Sequence, residues 1–170
     1  NKPIFKKRKE FISNFIKIFK EIYNDINNKK EIVDIEYKSD LTENNIEEIF
    51  TKNLNIDKIN QHTTNGIHKD DLIFSIENHS IKKYGSQGQQ KTFLVSLKLA
   101  KYFFIKSQTG NSPILLFDDA FDKLDQERVS LIIEKVKQNN FGQIFITDTH
   151  YDRTVNALSK NKSENSIFEL

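Results

Sequence analysis

The sequence contains no cysteine, no methionine and no tryptophan, and only two prolines and five glycines among its 170 residues. Without cysteine there is no disulfide staple, thiolate zinc site or thiol nucleophile, a usage that fits a cytoplasmic protein. So few glycines and prolines leave no flexible linker, low-complexity tract or internal repeat. No apolar run approaches the roughly 18 residues that a membrane-spanning helix needs, so no membrane partner is expected. Neither half carries a strong charge of one sign: residues 1–84 have 15 basic and 14 acidic side chains, residues 85–170 have 11 and 10. Nucleic-acid binding would therefore need a local patch, such as Lys6-Lys7-Arg8-Lys9. What is abundant is aliphatic and aromatic bulk. Leu, Ile, Val and Phe make up about a third of the chain, far above the roughly 20% below which folding fails. The absence of an initiator methionine leads us to expect a piece of a longer protein.

The first half mixes helices with alternating strands. Residues 9–27 carry a wide apolar stripe at helical spacing, with Phe11, Phe15, Ile18, Ile22 and Ile26 along it. Residues 31–38 and 71–77 alternate and predict strands, with a short helix over residues 44–54 between them. An Asn-His-Ser turn is expected after the second strand. The second half changes rhythm. Ser86 opens a helix to about Lys106, and residues 113–117 (PILLF) form an apolar run without alternation. That pattern predicts a strand of a parallel sheet covered on both faces. A helix over residues 126–137 and a second such strand over residues 143–147 complete a βαβ unit. A helix near residues 151–158 and a strand at 166–170 are expected to close the chain. The fold class is α/β, with residues 1–84 as one segment and residues 85–170 as the α/β core.

A βαβ unit brings the carboxyl ends of its strands to one sheet edge, where open α/β sheets bind ligands. Asp118 and Asp119 stand at the end of the first strand; Thr147 to His150 stand at the end of the second. Adjacent carboxylates there suit a hard cation such as Mg²⁺, which draws further ligands from water and phosphate. They also read simply as the end of a strand. Ser86 with Gln89 is a capping box, which explains both as helix punctuation. Gly88 is not explained by capping, because a glycine in a helix costs about 1 kcal/mol relative to alanine. A bare first turn exposes backbone N–H groups to an anion, and a phosphate is the natural guest. Asp125 is placed to cap the following helix. Gly66 to Leu72 reads as a solvated turn entering a strand.

The order of these pieces resembles the C-terminal half of an ATP-binding-cassette ATPase head of the chromosome-maintenance and repair kind. GIHKDDL, YGSQGQQKTFLVSLKLA and PILLFDDAFDKLD look like the segments of the RecF family, in its order and spacing. The resemblance implies a specific set of roles. Ser86, Gln87, Gly88 and Gln89 would form the signature motif, facing the γ-phosphate of ATP held by the opposite subunit. Asp118 would be the Walker B aspartate that holds Mg²⁺ through water. Asp119 replaces the more usual glutamate that orients the attacking water. Asp122 to Asp125 would be the loop crossing the dimer interface, with Asp122 in place of a common serine. His150 would be the switch histidine. Implied too are an ATP-dependent homodimer, double-stranded DNA near single-strand gaps, a RecR partner and help in loading RecA.

No GxxxxGK[ST] phosphate loop occurs in these residues; the family carries it upstream. The chain by itself is therefore expected to hydrolyse nothing. Other readings are a condensin-like or related repair head, an interaction module of the same fold without turnover, and a small hydrolase or receiver-like domain using Asp118 and Asp119. The last leaves the GSQGQQK helix start unexplained.

Overall fold

The computed structural model describes residues 2–28, 30–41, 45–119, 121–138, 141–149, 155 and 166–168. Its spine is α1 (Lys2–Ile26), which buries Phe5, Ile12, Phe19, Ile22, Tyr23 and Ile26. The helix begins seven residues before the expected Lys9. Pro3 is tolerated in a first turn, where its missing N–H would have no acceptor. Phe5, buried with Leu41 under Tyr37 and Phe50, gives that early turn an anchor of its own.

Strand β1 (Val33–Lys38) pairs antiparallel with β2 (Asp71–Ile76), from Val33 opposite Ile76 to Lys38 opposite Asp71. Between them α2 (Ile46–Asn60) runs past the expected Leu54 and ends at Gln61 in the left-handed region. The hairpin from β2 to β3 (His79–Ser80) turns on Glu77 and Asn78, not on Asn-His-Ser. Both residues have positive φ, 47° and 62°, as a two-residue turn matched to strand twist requires. Glu77 tolerates this because it is tied twice to Ile32: its N–H donates to the Ile32 carbonyl at 2.8 Å, and its carboxylate accepts the Ile32 N–H at 2.6 Å.

The short helix α3 (Ile81–Tyr84) leads into α4 (Gln87–Thr109), which packs along α1. The seam between the two helices is aromatic. Phe19 and Phe93 lie 4.6 Å apart by ring centroid, and Phe11 meets Phe104 edge-on at 4.9 Å. Then β4 (Leu115–Phe117), α5 (Gln126–Gln138) and β5 (Ile144–Ile146) form the expected parallel crossover, with Leu115 opposite Ile144 and Phe117 opposite Ile146. The expectation of cover on both faces is corrected. Leu115 and Phe117 are buried, whereas Leu116 is 64% and Phe145 51% exposed.

One apolar cluster runs from Phe19, Tyr23 and Ile35 through Phe93 and Leu99 to Phe117, Val129 and Ile133, and so draws on both segments of the chain. The expected helix near residues 151–158 lies outside the described residues save for Val155, and residues 166–168 have no regular structure. Among the described residues, no helix is long and apolar enough to cross a membrane.

Candidate functional site

The first group of site residues sits where α3 hands over to α4. Gly85 is packed so closely that a side-chain carbon there would stand 2.6 Å from the Ile81 carbonyl oxygen. Ser86 is extended (φ −61°, ψ 161°) and caps α4 in both directions. Its Oγ accepts the Gln89 N–H at 3.2 Å, and its own N–H donates to Gln89 Oε1 at 2.8 Å. By helix geometry the N–H groups of Gln87 and Gly88 have no acceptor within α4. Ser86 and Gln87 are exposed; Gly88 and Gln89 are half-buried. A carbon added to Gly88 would stand 3.1 Å from the Lys123 carbonyl oxygen and 3.1 Å from Arg128 Nη1. Close approach of the neighbouring turn therefore accounts for this glycine.

That turn is the second group. Phe121 and Leu124 are buried and anchor it, with the Leu124 N–H donating to the Phe121 carbonyl at 3.2 Å. Lys123 takes a positive φ of 61°, and its ammonium lies 3.5 Å from Asp122. Asp125 caps α5 as expected, accepting the Arg128 N–H on Oδ1 at 2.8 Å. Arg128 then reaches back across the turn. Its guanidinium lies 3.7 Å from Asp125 Oδ2 and 3.6 Å from Glu31 Oε1, and it donates to Asn27 Oδ1 at 3.2 Å.

The third group lies at the carboxyl edge of the parallel pair. The Thr147 N–H donates to the Phe117 carbonyl at 2.8 Å, extending the ladder by one step. The Thr147 hydroxyl donates to Asp118 Oδ1 at 2.6 Å and accepts the Asp119 N–H at 2.9 Å. Asp119 is held at φ 46°, a strained region for a residue with a side chain. Its Oδ1 is buried without a hydrogen-bond partner. A buried carboxylate oxygen with an unfilled lone pair, beside an exposed carboxylate, fits a cation or a polarised water. Among the described residues no three His, Cys, Asp or Glu side chains gather to hold a metal. Mg²⁺ would therefore need phosphate or water oxygens to complete its shell.

The structure brings Gly88 against the Asp122–Asp125 turn, and Asp118 against Asp119 through Thr147. His150 lies outside the described residues. Thr147 was placed at the ligand-binding edge by the sequence but given no role, whereas Glu31, read only within a strand, and Arg128, read only within a helix, carried no sign of contact with these groups. Glu31 also accepts the Tyr23 hydroxyl at 2.6 Å. Burial, reinforced by that bond, pushes the Tyr23 phenol far above its ordinary range.

No family model matches the chain. It is 49% identical over 169 residues to the DNA replication and repair protein RecF of Flavobacterium johnsoniae, covering 99% of this chain and 47% of that protein. The RecF of Azobacteroides pseudotrichonymphae is 46% identical over 165 residues, covering 97% of this chain and 45% of that protein. Two solved structures are similar at 27% identity, covering 89% of this chain and 42% of theirs. One is described as the recombination mediator protein RecF-ATP in the RecFOR pathway (TM-score 0.70), the other as its RecF-ATPrS counterpart (TM-score 0.69). The chain thus spans under half the length of the relatives it matches.

Proposed function

We propose that this chain, whose relatives over nearly its whole length are RecF proteins, is the C-terminal portion of a RecF-type ATPase head. In this reading residues 1–84 belong to the second lobe, and residues 85–170 carry the signature helix, the Walker B strand and the interface loop. The observation that carries it is the packing of Gly88 on the Lys123 turn. That contact joins a bare helix N-terminus to an acidic loop, the two parts that one subunit would present to its partner's nucleotide.

Ser86, Gln87, Gly88 and Gln89 would receive the γ-phosphate of ATP bound by the opposite subunit, through the open N–H groups of the first turn and the Ser86 hydroxyl. Asp118 would hold Mg²⁺, which supplies charge neutralisation on the phosphoryl oxygens. Asp119 would orient the attacking water with its unpartnered oxygen. Asp122 and Asp125 would line the dimer interface, and His150 would sense the γ-phosphate. The whole protein would then be an ATP-dependent homodimer in the cytoplasm that clamps double-stranded DNA near single-strand gaps. It would work with RecR to load RecA. The phosphate loop would come from the part of the protein upstream of this chain, so the isolated chain would turn over no ATP.

The test is a pair of variants in the full-length protein. Asp119→Asn should bind ATP and Mg²⁺ and dimerise, yet hydrolyse at least about 10²-fold more slowly. Asp118→Asn should weaken Mg-nucleotide binding. An Asp119→Asn protein that cannot dimerise with ATP would show the roles to be wrongly assigned.

A further inference from the structure

Glu31 lies in the link between α1 and β1, 58 residues from Gln89, yet it meets the site at its centre. Its two oxygens are almost fully spoken for. Oε2 accepts the Tyr23 hydroxyl at 2.6 Å; Oε1 accepts Gln89 Nε2 at 2.8 Å and lies 3.6 Å from the Arg128 guanidinium. Both charged side chains are largely withdrawn from water, Glu31 being 16% and Arg128 19% exposed. Charge pairs so placed hold their geometry better than surface pairs do, since breaking one leaves a charge without a partner.

The chemistry of Gln89 makes this placement consequential. Its side-chain amide has one end that accepts and one that donates. A carboxylate can only accept, so Glu31 forces the NH₂ end toward itself and leaves Oε1 facing the Ser86 N–H at 2.8 Å. The same carboxylate draws in Arg128, which lies beside Gly88 and reaches Asp125 at 3.7 Å. We infer that Glu31 is a positioning residue: it fixes the Gln89 amide and, through Arg128, binds the Ser86–Gln89 turn to the Asp122–Asp125 turn. The two phosphate- and partner-facing turns then move as one body, anchored on Tyr23 of α1. This inference rests on the reading of Ser86–Gln89 as the turn that faces ATP across the dimer.

The experiment follows ATP-driven dimerisation of the full-length protein by sedimentation, with nucleotide affinity of the monomer and thermal unfolding measured on the same samples. Glu31→Ala should bind ATP as the unmodified monomer does, yet dimerise about tenfold more weakly, the scale of losing a hydrogen bond to a charged group. Glu31→Gln keeps an acceptor oxygen for Gln89 but gives up the charge that faces Arg128. It should restore dimerisation to within about threefold of the unmodified protein while its melting temperature stays lowered. Should the alanine variant not fold, the glutamine variant decides alone. Two results overturn the inference: Glu31→Ala dimerising normally, or a folded, ATP-binding Glu31→Gln that does not dimerise. Ser86→Arg is run in parallel. If Ser86→Arg blocks dimerisation and Glu31→Ala does not, only the role of Glu31 fails. If Ser86→Arg itself dimerises normally, the underlying reading of the turn fails first.

Discussion

The Thr147 hydroxyl donates to Asp118 across the ends of two parallel strands, at 2.6 Å. The same oxygen accepts the Asp119 N–H, so one side chain holds both the Asp118 carboxylate and the Asp119 backbone. Thr147→Val keeps the shape and removes both bonds. Water can replace the donor to the exposed Asp118, but the Asp119 N–H loses the partner that supports its left-handed turn. The expected cost is about 1 kcal/mol in denaturant unfolding, with slower ATP hydrolysis in the full-length protein. Thr147→Ser should recover both. A valine variant matching the unmodified protein in stability and turnover would remove Thr147 from the site.

Asp70 gives the chain a defined acid sensitivity. Burial alone would raise its carboxyl, but hydrogen bonds from Ser39, Tyr37 and Arg8 outweigh it and hold the group below its ordinary value. The side chain is only 3% exposed. With a folded-state value lowered from an unfolded value of about 3.9, the contribution is complete at neutral pH. It is lost as pH falls below about 4 and through the lower folded-state value. The stability gap between the unmodified protein and Asp70→Asn should therefore be widest near pH 7 and shrink in acid. A gap that widens in acid would contradict this.

Arg8 donates to Asp70 at 2.8 Å and also to the Ile67 carbonyl, so the basic run at the chain's start is not one uniform patch. Lys6, Lys7 and Lys9 are exposed. Replacing these three with alanine should reduce the salt slope of DNA binding by up to about 3 in the full-length protein, near 0.9 for each phosphate contact. Arg8→Ala should chiefly lower thermal stability. An unchanged slope in the triple variant would place the contacts elsewhere, with Lys82 and Lys83 the next to test.

Local pattern and chemistry proved readable where they act over a few residues. Ser86 with Gln89, Asp125 at the head of α5 and the two apolar runs of the parallel pair all follow from short-range rules, and each stands where those rules put it. Contacts between distant residues were not readable. Arg128 meets Asn27 across 101 positions, and nothing in either neighbourhood marks the pair. Asp70 looked like part of a solvated turn because its flanking residues are polar; its partners Arg8, Tyr37 and Ser39 come from α1 and the end of β1. Gly88 was recognised as unusual, but its packing on Lys123 could not be seen from one strand of text. The open face of β4 and β5 was likewise hidden, since an apolar run states how much cover a strand needs and not what supplies it.

The most direct measurement of the central claim is sedimentation of full-length Ser86→Arg with and without ATP, beside nucleotide affinity of its monomer. A side chain of that bulk at the head of α4 would stand where the partner's γ-phosphate is received, while the phosphate loop of the same subunit is untouched. The monomer should bind ATP normally, and the ATP-driven dimer should be lost. Normal dimerisation of Ser86→Arg with ATP would contradict it.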